Sequence, residues 1–222
     1  MWAIGSAHST VYSKKSAALD KARQLRFILH FVGDVHQPLH AATYFSPQFP
    51  AGDRGGNSTF TRAGPYIAPQ KPPRTNTLPP NPNSTWTLTK TGWNISGFAW
   101  TSELHALWDG GLGMWYGDLP RPLNATGVEW VADFTARLAA EWPVNALGPE
   151  IANENVTSWA EESFGLANAV VYTAPQAPTP VPAPYVAAGQ ALCRKQVAIG
   201  AYRLASLLEY IFTAGAFAGG EL

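Results

Sequence analysis

The amino-acid sequence predicts an all-α fold, and three observations carry that expectation. Apolar residues recur at three-and-four spacing in several stretches, strand-like alternation is nearly absent, and proline and glycine punctuate the gaps. At 222 residues the chain suits one domain with a substantial core. Lys+Arg and Asp+Glu both number 15, which excludes a polybasic surface as the main way of holding nucleic acid. Metals and aromatic stacking remain available for that purpose. Nine tryptophans suit a helical core with aromatic pockets.

The start, Met1-Trp-Ala-Ile-Gly, lacks the basic residue and long apolar run of a signal peptide. From about Ser16 to Val35 the spacing predicts a helix with Leu19, Ala22, Leu25, Leu29 and Val32 on its inner face. Lys14, Lys15, Lys21, Arg23 and Arg26 read as its solvated face. Residues 44–57 are Pro- and Gly-rich and read as a loop. Residues 64–90 hold seven prolines, a composition that cannot build a core, and read as a long exposed insertion.

A second helix is expected from near Ser96 to Asp109, stopped by Gly110-Gly111. Thr126-Gly-Val-Glu129 and Ser158-Trp-Ala-Glu161 have the pattern of capping boxes, opening helices towards Trp142 and Tyr172. Residues 174–185 contain five prolines and read as a stiff extended connector. A last helix follows, with Cys193, Val197, Gly200, Leu204, Leu207 and Ile211 along one face. Its apolar end is shorter than a membrane span and contains Glu209.

Cys193 is the only cysteine, so no disulfide can form within the chain. Asn57, Asn83, Asn94, Asn124 and Asn155 each open an Asn-x-Ser/Thr sequon, which favours a secretory protein. A lone cysteine in such a protein suggests a missing partner.

The chemistry gathers in His30-Phe-Val-Gly-Asp34-Val-His-Gln-Pro-Leu-His40. On a helix His30 and Asp34 sit one turn apart and point the same way. Pro38 lacks an N–H and crowds the carbonyl of Asp34, so the helix kinks or stops and His40 is aimed differently. Phe31, Val32, Val35 and Leu39 suggest a buried segment, where His and Asp need partners. His105 and Asp109 repeat the spacing on another expected helix. Imidazole and carboxylate together suit zinc, which can activate water and clamp a phosphate. Such pairs are also ordinary hydrogen-bonded features of helices, and spacing alone leaves both readings open.

The wording of the segments adds a resemblance. The central motif, followed by Asp53-Arg-Gly-Gly-Asn57 and Leu104-His-Ala-Leu-Trp-Asp109, closely resembles the S1/P1 nuclease family. Trp159-Ala-Glu-Glu-Ser163 and the helix from Arg194 to Ala205 extend the similarity, and the Pro-rich insertions resemble those of trypanosomatid 3′-nucleotidase/nucleases. The resemblance implies a zinc-dependent phospholipase C/P1 nuclease-like helical domain spanning residues 1–222, with Pro-rich loops at 64–90 and 174–185. It implies an enzyme with three zinc ions that cleaves single-stranded DNA and RNA to 5′-nucleotides and removes 3′-phosphate from 3′-nucleotides.

Carried over by position, His30 would bind the first zinc and Asp34, the catalytic carboxylate, would bridge the first and third. His40, His105 and Asp109 would hold the second. Gly55 and Asn57 match residues that hydrogen-bond a nucleobase, so the Asn57 sequon is expected to be unused and Asn83, Asn94, Asn124 and Asn155 to carry glycans. His36 is no ligand position and reads as supporting or packing. No protein partner is implied; a secreted or cell-surface monomer is expected.

The family's early ligands, including an amino-terminal tryptophan, cannot be matched here. Trp2 and His8 imitate them only in spacing, and His8 reads as an ordinary polar residue. The chain is therefore expected to lack the N-terminal part of the domain, with one zinc site complete and the early partner of Cys193 missing. Two other readings follow: a zinc phospholipase C-like phosphodiesterase, or a catalytically impaired glycoprotein binding one zinc or none.

Overall fold

A computed structural model describes residues 2–63, 86–89, 92–95, 100–115, 122–176 and 179–213. Most of the 64–90 insertion, including Asn83, lies outside the described residues. The described chain is mostly helical, as expected. Its helices are α1 (Trp2–Tyr12), α2 (Ala18–Val35), α3 (Leu104–Asp109), α4 (Ala125–Glu141), α5 (Val144–Ile151), α6 (Val156–Ala169) and α7 (Ala183–Thr213). Short 3-10 turns occupy Pro38–His40, Gly111–Gly113 and Val171–Thr173.

Among the described residues four short strands accompany the helices: β1 (Phe60–Ala63), β2 (Trp86–Thr89), β3 (Gly92–Ile95) and β4 (Trp100–Glu103). β1 pairs antiparallel with β4, and β2 with β3. The helix expected from Ser96 is consequently only α3, because 100–103 is spent on the ladder with β1. Phe60↔Glu103 is the pair nearest α3. This ladder brings the 53–57 loop to the start of α3, where Leu104 N–H donates to Thr59 O and His105 N–H to Gly56 O.

Three apolar clusters form the core. α1 lies against α2, with Ile4, Ala7 and Val11 packed among Ile28, Val32, Trp159 and Ile211. Leu39, Leu104, Leu107, Trp108 and Leu112 pack on Val171, Tyr185, Val186 and Cys193. Trp108 Nε1 donates to Tyr185 Oη (2.9 Å), which donates to Val171 O (2.8 Å), so these two buried polar groups are satisfied. Leu138, Leu147, Ala198 and Ile199 join α4 and α5 to α7. Fully burying each such large apolar side chain contributes ~1.5–3 kcal/mol.

Several expectations shift in detail. The inner face of α2 is Lys21, Ile28 and Val32, whereas Leu19 is 70% and Leu29 43% exposed. Contact with α1, for which the sequence gives no helical signal, rotates the buried stripe away from the most apolar one. In α7, Cys193, Gly200 and Ile211 are buried as expected, but Val197 is exposed and the polar Gln196 and Arg203 are buried. α4 and α6 begin before their expected capping boxes. Asn124 Oδ1 accepts from Gly127 N–H, and Asn155 Oδ1 from Thr157 and Ser158 N–H, so asparagine takes the cap. α5 forms despite Gly148-Pro149. The connector ends at Ala183, and Pro184 falls in the first turn of α7, where its missing N–H costs nothing. No helix among the described residues is long and apolar enough to cross a membrane.

Candidate metal centre

α2 places His30 and Asp34 on one face, with His30 Nε2 3.3 Å from Asp34 Oδ2. The helix stops at Val35, and the turn that Pro38 opens swings His40 back over the helix end. His40 Nδ1 then lies 3.7 Å from Asp34 Oδ1, and its Nε2 lies 3.5 Å from Asp109 Oδ1. α3 supplies His105 Nε2, 3.5 Å from Asp109 Oδ2. The rings of His40 and His105 stack with centroids 4.9 Å apart.

His40, His105 and Asp109 offer ligand atoms within 4.8 Å of one another. Tetrahedral zinc with bonds of about 2.0–2.1 Å holds its ligand atoms roughly 3.3–3.4 Å apart. Each His–Asp separation is near that, His40 facing Asp109 Oδ1 and His105 facing Oδ2. The tautomer fits as well. His105 Nδ1 lies 2.7 Å from Gly55 O, which can only accept, so Nδ1 carries the hydrogen and Nε2 presents its lone pair to the cluster. His30 stays at the edge, its side chain 69% exposed, and approaches Asp34 but not the other three. The expected burial of this segment therefore holds for Val32, His36 and Leu39, not for His30.

Sequence reasoning missed the residues that hold these side chains in place. Gln37 donates from Nε2 to Asp109 Oδ1 (2.8 Å) and caps the turn by accepting from Leu39 N–H. Burial pulls the Asp109 carboxyl upward, but the His40 and Gln37 hydrogen bonds and the nearby imidazoles hold it below the usual range. The bond to Asp109 draws His40 above its ordinary value, against burial and with help from the charges of Asp109 and Asp34. The one available signal was that Gln37 sits between ligand positions within the motif.

Gly55 has a φ of +65°, and a Cβ there would meet Leu39 O at 2.6 Å. Only glycine lets the loop carbonyl come close enough to orient His105. Asn57 turns inward, its Nδ2 donating to Arg54 O (2.7 Å). Asp53 knots this loop. Its Oδ1 accepts from Tyr44 N–H (2.9 Å) and Tyr172 Oη (3.0 Å), and its Oδ2 from Thr59 Oγ1 (2.7 Å). Burial opposes the charge, yet these bonds win and hold the carboxyl below its ordinary value.

A folded-state value below the unfolded one stabilises the native chain above the unfolded value of about 3.9 and ceases to do so as pH falls through the native value. Asp53→Asn is therefore expected to lower the melting temperature near neutral pH. The gap to wild type should close below about pH 4, as followed by thermal denaturation across pH. A gap that stayed constant with pH would assign the loss to shape rather than charge.

His36 is buried. Its Nδ1 donates to Val32 O (2.7 Å), and Arg203 Nη1 donates to its Nε2 (2.9 Å). Burial, together with the Arg203 charge, lowers its pKa and keeps it neutral. Arg203 also donates to Glu150 O and pairs with Glu162 (2.8 Å), while its guanidinium lies 5.1 Å from the Trp159 ring centroid. Sequence reasoning passed over Arg203, which was not on the expected inner face of α7 yet is buried.

His30, Asp34, His40, His105 and Asp109 line one cavity of ≈ 940 Å³, whose far wall is Cys193, Val197 and Leu204 of α7. Burial pushes the Cys193 thiol up to about 12, so it stays protonated. His8 stands apart, its ring against Tyr12 and Tyr210. Asn94 lies on β3. The model of the S1/P1 Nuclease family matches residues 1–63 and 91–213. No curated protein and no solved structure matches the chain.

Proposed function

Because the chain belongs to the S1/P1 nuclease family, whose members are hydrolases acting on nucleic acids, we propose that it is a zinc-dependent phosphoesterase. Its substrates are single-stranded DNA and RNA, cleaved to 5′-nucleotides, and 3′-nucleotides, from which it removes the 3′-phosphate. The observation that carries this reading is the convergence of His40, His105 and Asp109 from two separate elements, with imidazole nitrogens and a carboxylate close enough to share a metal ion.

When bound, zinc supplies Lewis-acid polarisation of phosphoryl oxygens and makes water a nucleophile near neutral pH. His105 offers Nε2 because Gly55 O holds its Nδ1 hydrogen, and Asp109 is aligned by Gln37, its carboxyl held below the usual range by His40 and then Gln37. Asp34 faces His30 with one oxygen and His40 with the other. Asp34 is so placed that it would help hold a metal beside His30 or His40, and its carboxylate could accept a proton there. Asn57 has its amide nitrogen engaged by Arg54 O, which leaves Oδ1 to accept from an N–H on a base edge. A duplex hides those edges and the base faces, so single strands are preferred.

The same bond occupies the nitrogen to which a glycan would attach, in keeping with an unused Asn57 sequon. Asn124 and Asn155 are exposed and cap their helices through Oδ1, leaving Nδ2 accessible. We assign glycans to them, and to Asn83 and Asn94, in a secreted or cell-surface monomer.

Zinc counted by plasma mass spectrometry on purified chain, with cleavage of a single-stranded oligonucleotide and release of phosphate from a 3′-nucleotide, tests the reading. At least one zinc per chain and activity abolished by a chelator and restored by zinc are expected. A folded sample that takes up no zinc and cleaves neither substrate would refute it.

A further inference from the structure

A second cavity of ≈ 600 Å³ opens on the other side of the ligand cluster, lined by Asp34, His40, His105, Thr43, Gly55 and Arg54. Among the described residues lining the two cavities beside the cluster, Arg54 is the one lysine or arginine. Its backbone is fully engaged: N–H donates to Thr43 Oγ1 (3.1 Å) and C=O accepts from Asn57 Nδ2. Its exposed guanidinium pairs with no described residue.

Arg54 also has a φ of 59°, one of two positive values at non-glycine positions among the described residues. Its neighbours Gly52, Gly55 and Gly56 have positive φ too, so the turn is one in which glycine is the unstrained choice. A bulky cation in the left-handed region is held there by the surrounding bonds, and such strain concentrates where a side chain must be presented to a ligand.

We propose that Arg54 binds a phosphate of the substrate strand beside the metal cluster, an inference that rests on the nuclease reading above. A guanidinium presents its donors in a planar fork that matches two phosphate oxygens, and it stays charged at every working pH. In a chain of zero net charge, a single placed cation matters more than it would within a basic patch. The position also keeps the phosphate contact and the Asn57 base contact on one short turn.

The test measures binding of a fluorescent single-stranded oligonucleotide with hydrolysis-resistant phosphorothioate linkages to the zinc-loaded chain, by anisotropy over a range of salt. Arg54→Gly is expected to weaken binding at least ~10-fold. It should make the slope of log affinity against log salt shallower by about 0.7, the value for one phosphate contact on a single strand. Its melting temperature should equal or exceed that of wild type, since glycine takes the backbone angle without strain. Arg54→Lys should keep the salt slope and recover part of the affinity.

Unchanged binding by Arg54→Gly, with wild type binding normally, would overturn the phosphate role and leave the nuclease reading standing. So would a fall in melting temperature with an unchanged salt slope, which marks a structural residue. Wild-type chain that neither binds nor cleaves single strands would overturn the nuclease reading, and this inference with it.

Discussion

His105→Ala is expected to remove one zinc per chain and reduce phosphodiester cleavage by about 10³-fold. The rate effect corresponds to the several kcal/mol of transition-state stabilisation that a catalytic metal supplies. His105 is fixed from three directions: by its turn of α3, by its Nδ1 bond to Gly55 O, and by the stacked ring of His40. Asp109 would remain, but a carboxylate and one imidazole are too few ligands for tight zinc. Folding should survive, because the lost side chain is part-buried and its one hydrogen bond contributes only ~1 kcal/mol. Zinc content and initial rates, with circular dichroism as the folding control, decide the matter. A variant that kept both zinc and rate would remove His105 from the centre.

Arg203→Leu is expected to destabilise the fold by about 2–4 kcal/mol, lowering the melting temperature of a chain of this size by roughly 5–15 °C. Arg203 is 2% exposed and ties three elements together: His36 at the end of α2, the Glu150 carbonyl at the end of α5, and Glu162 on α6. Leucine fills much of the space but leaves His36 Nε2 without a donor, while Glu150 O keeps a long backbone bond from Asn153 N–H (3.4 Å). Glu162 is half-exposed and recovers water, so the loss comes mainly from the buried His36 acceptor and the weakened tie to α5 rather than the ion pair. Because His36 lies between Asp34 and His40, zinc affinity should fall alongside stability. A shift in melting temperature below about 2 °C would show that the network is not structural.

Much of the site was legible in the chain. The spacing of His30 and Asp34, the stop at Pro38, and the second pair at His105 and Asp109 all follow from helix geometry and from the missing N–H of proline. Those are local properties, set by residues within one or two turns of each other. The helical character of the fold followed likewise from apolar periodicity, and the end of α3 from Gly110-Gly111.

Other elements were decided at long range. Leu19 and Leu29 looked like core but are exposed, because the packing of α1 selected a different stripe of α2. Residues 100–103 carried no strand signal of their own and became a strand because Phe60–Ala63 lay alongside to accept their hydrogen bonds. Asn124 and Asn155 took caps that sequence patterns had assigned to Thr126 and Ser158.

The sequence by itself determined a helical chain with two His-x-x-x-Asp pairs and a redirected His40. Helix periodicity alone could not say which of these five side chains converge; the tertiary structure gathers His40, His105 and Asp109, the trio the family resemblance implied, and leaves His30 at the rim. It also decided what holds them: Gln37 on Asp109, Gly55 O on His105, Asp53 within the loop, and Arg203 beneath His36. The reason is physical. Periodicity fixes directions along one element, whereas the distance between ligands on different elements depends on packing and on buried polar groups finding partners far away in the chain.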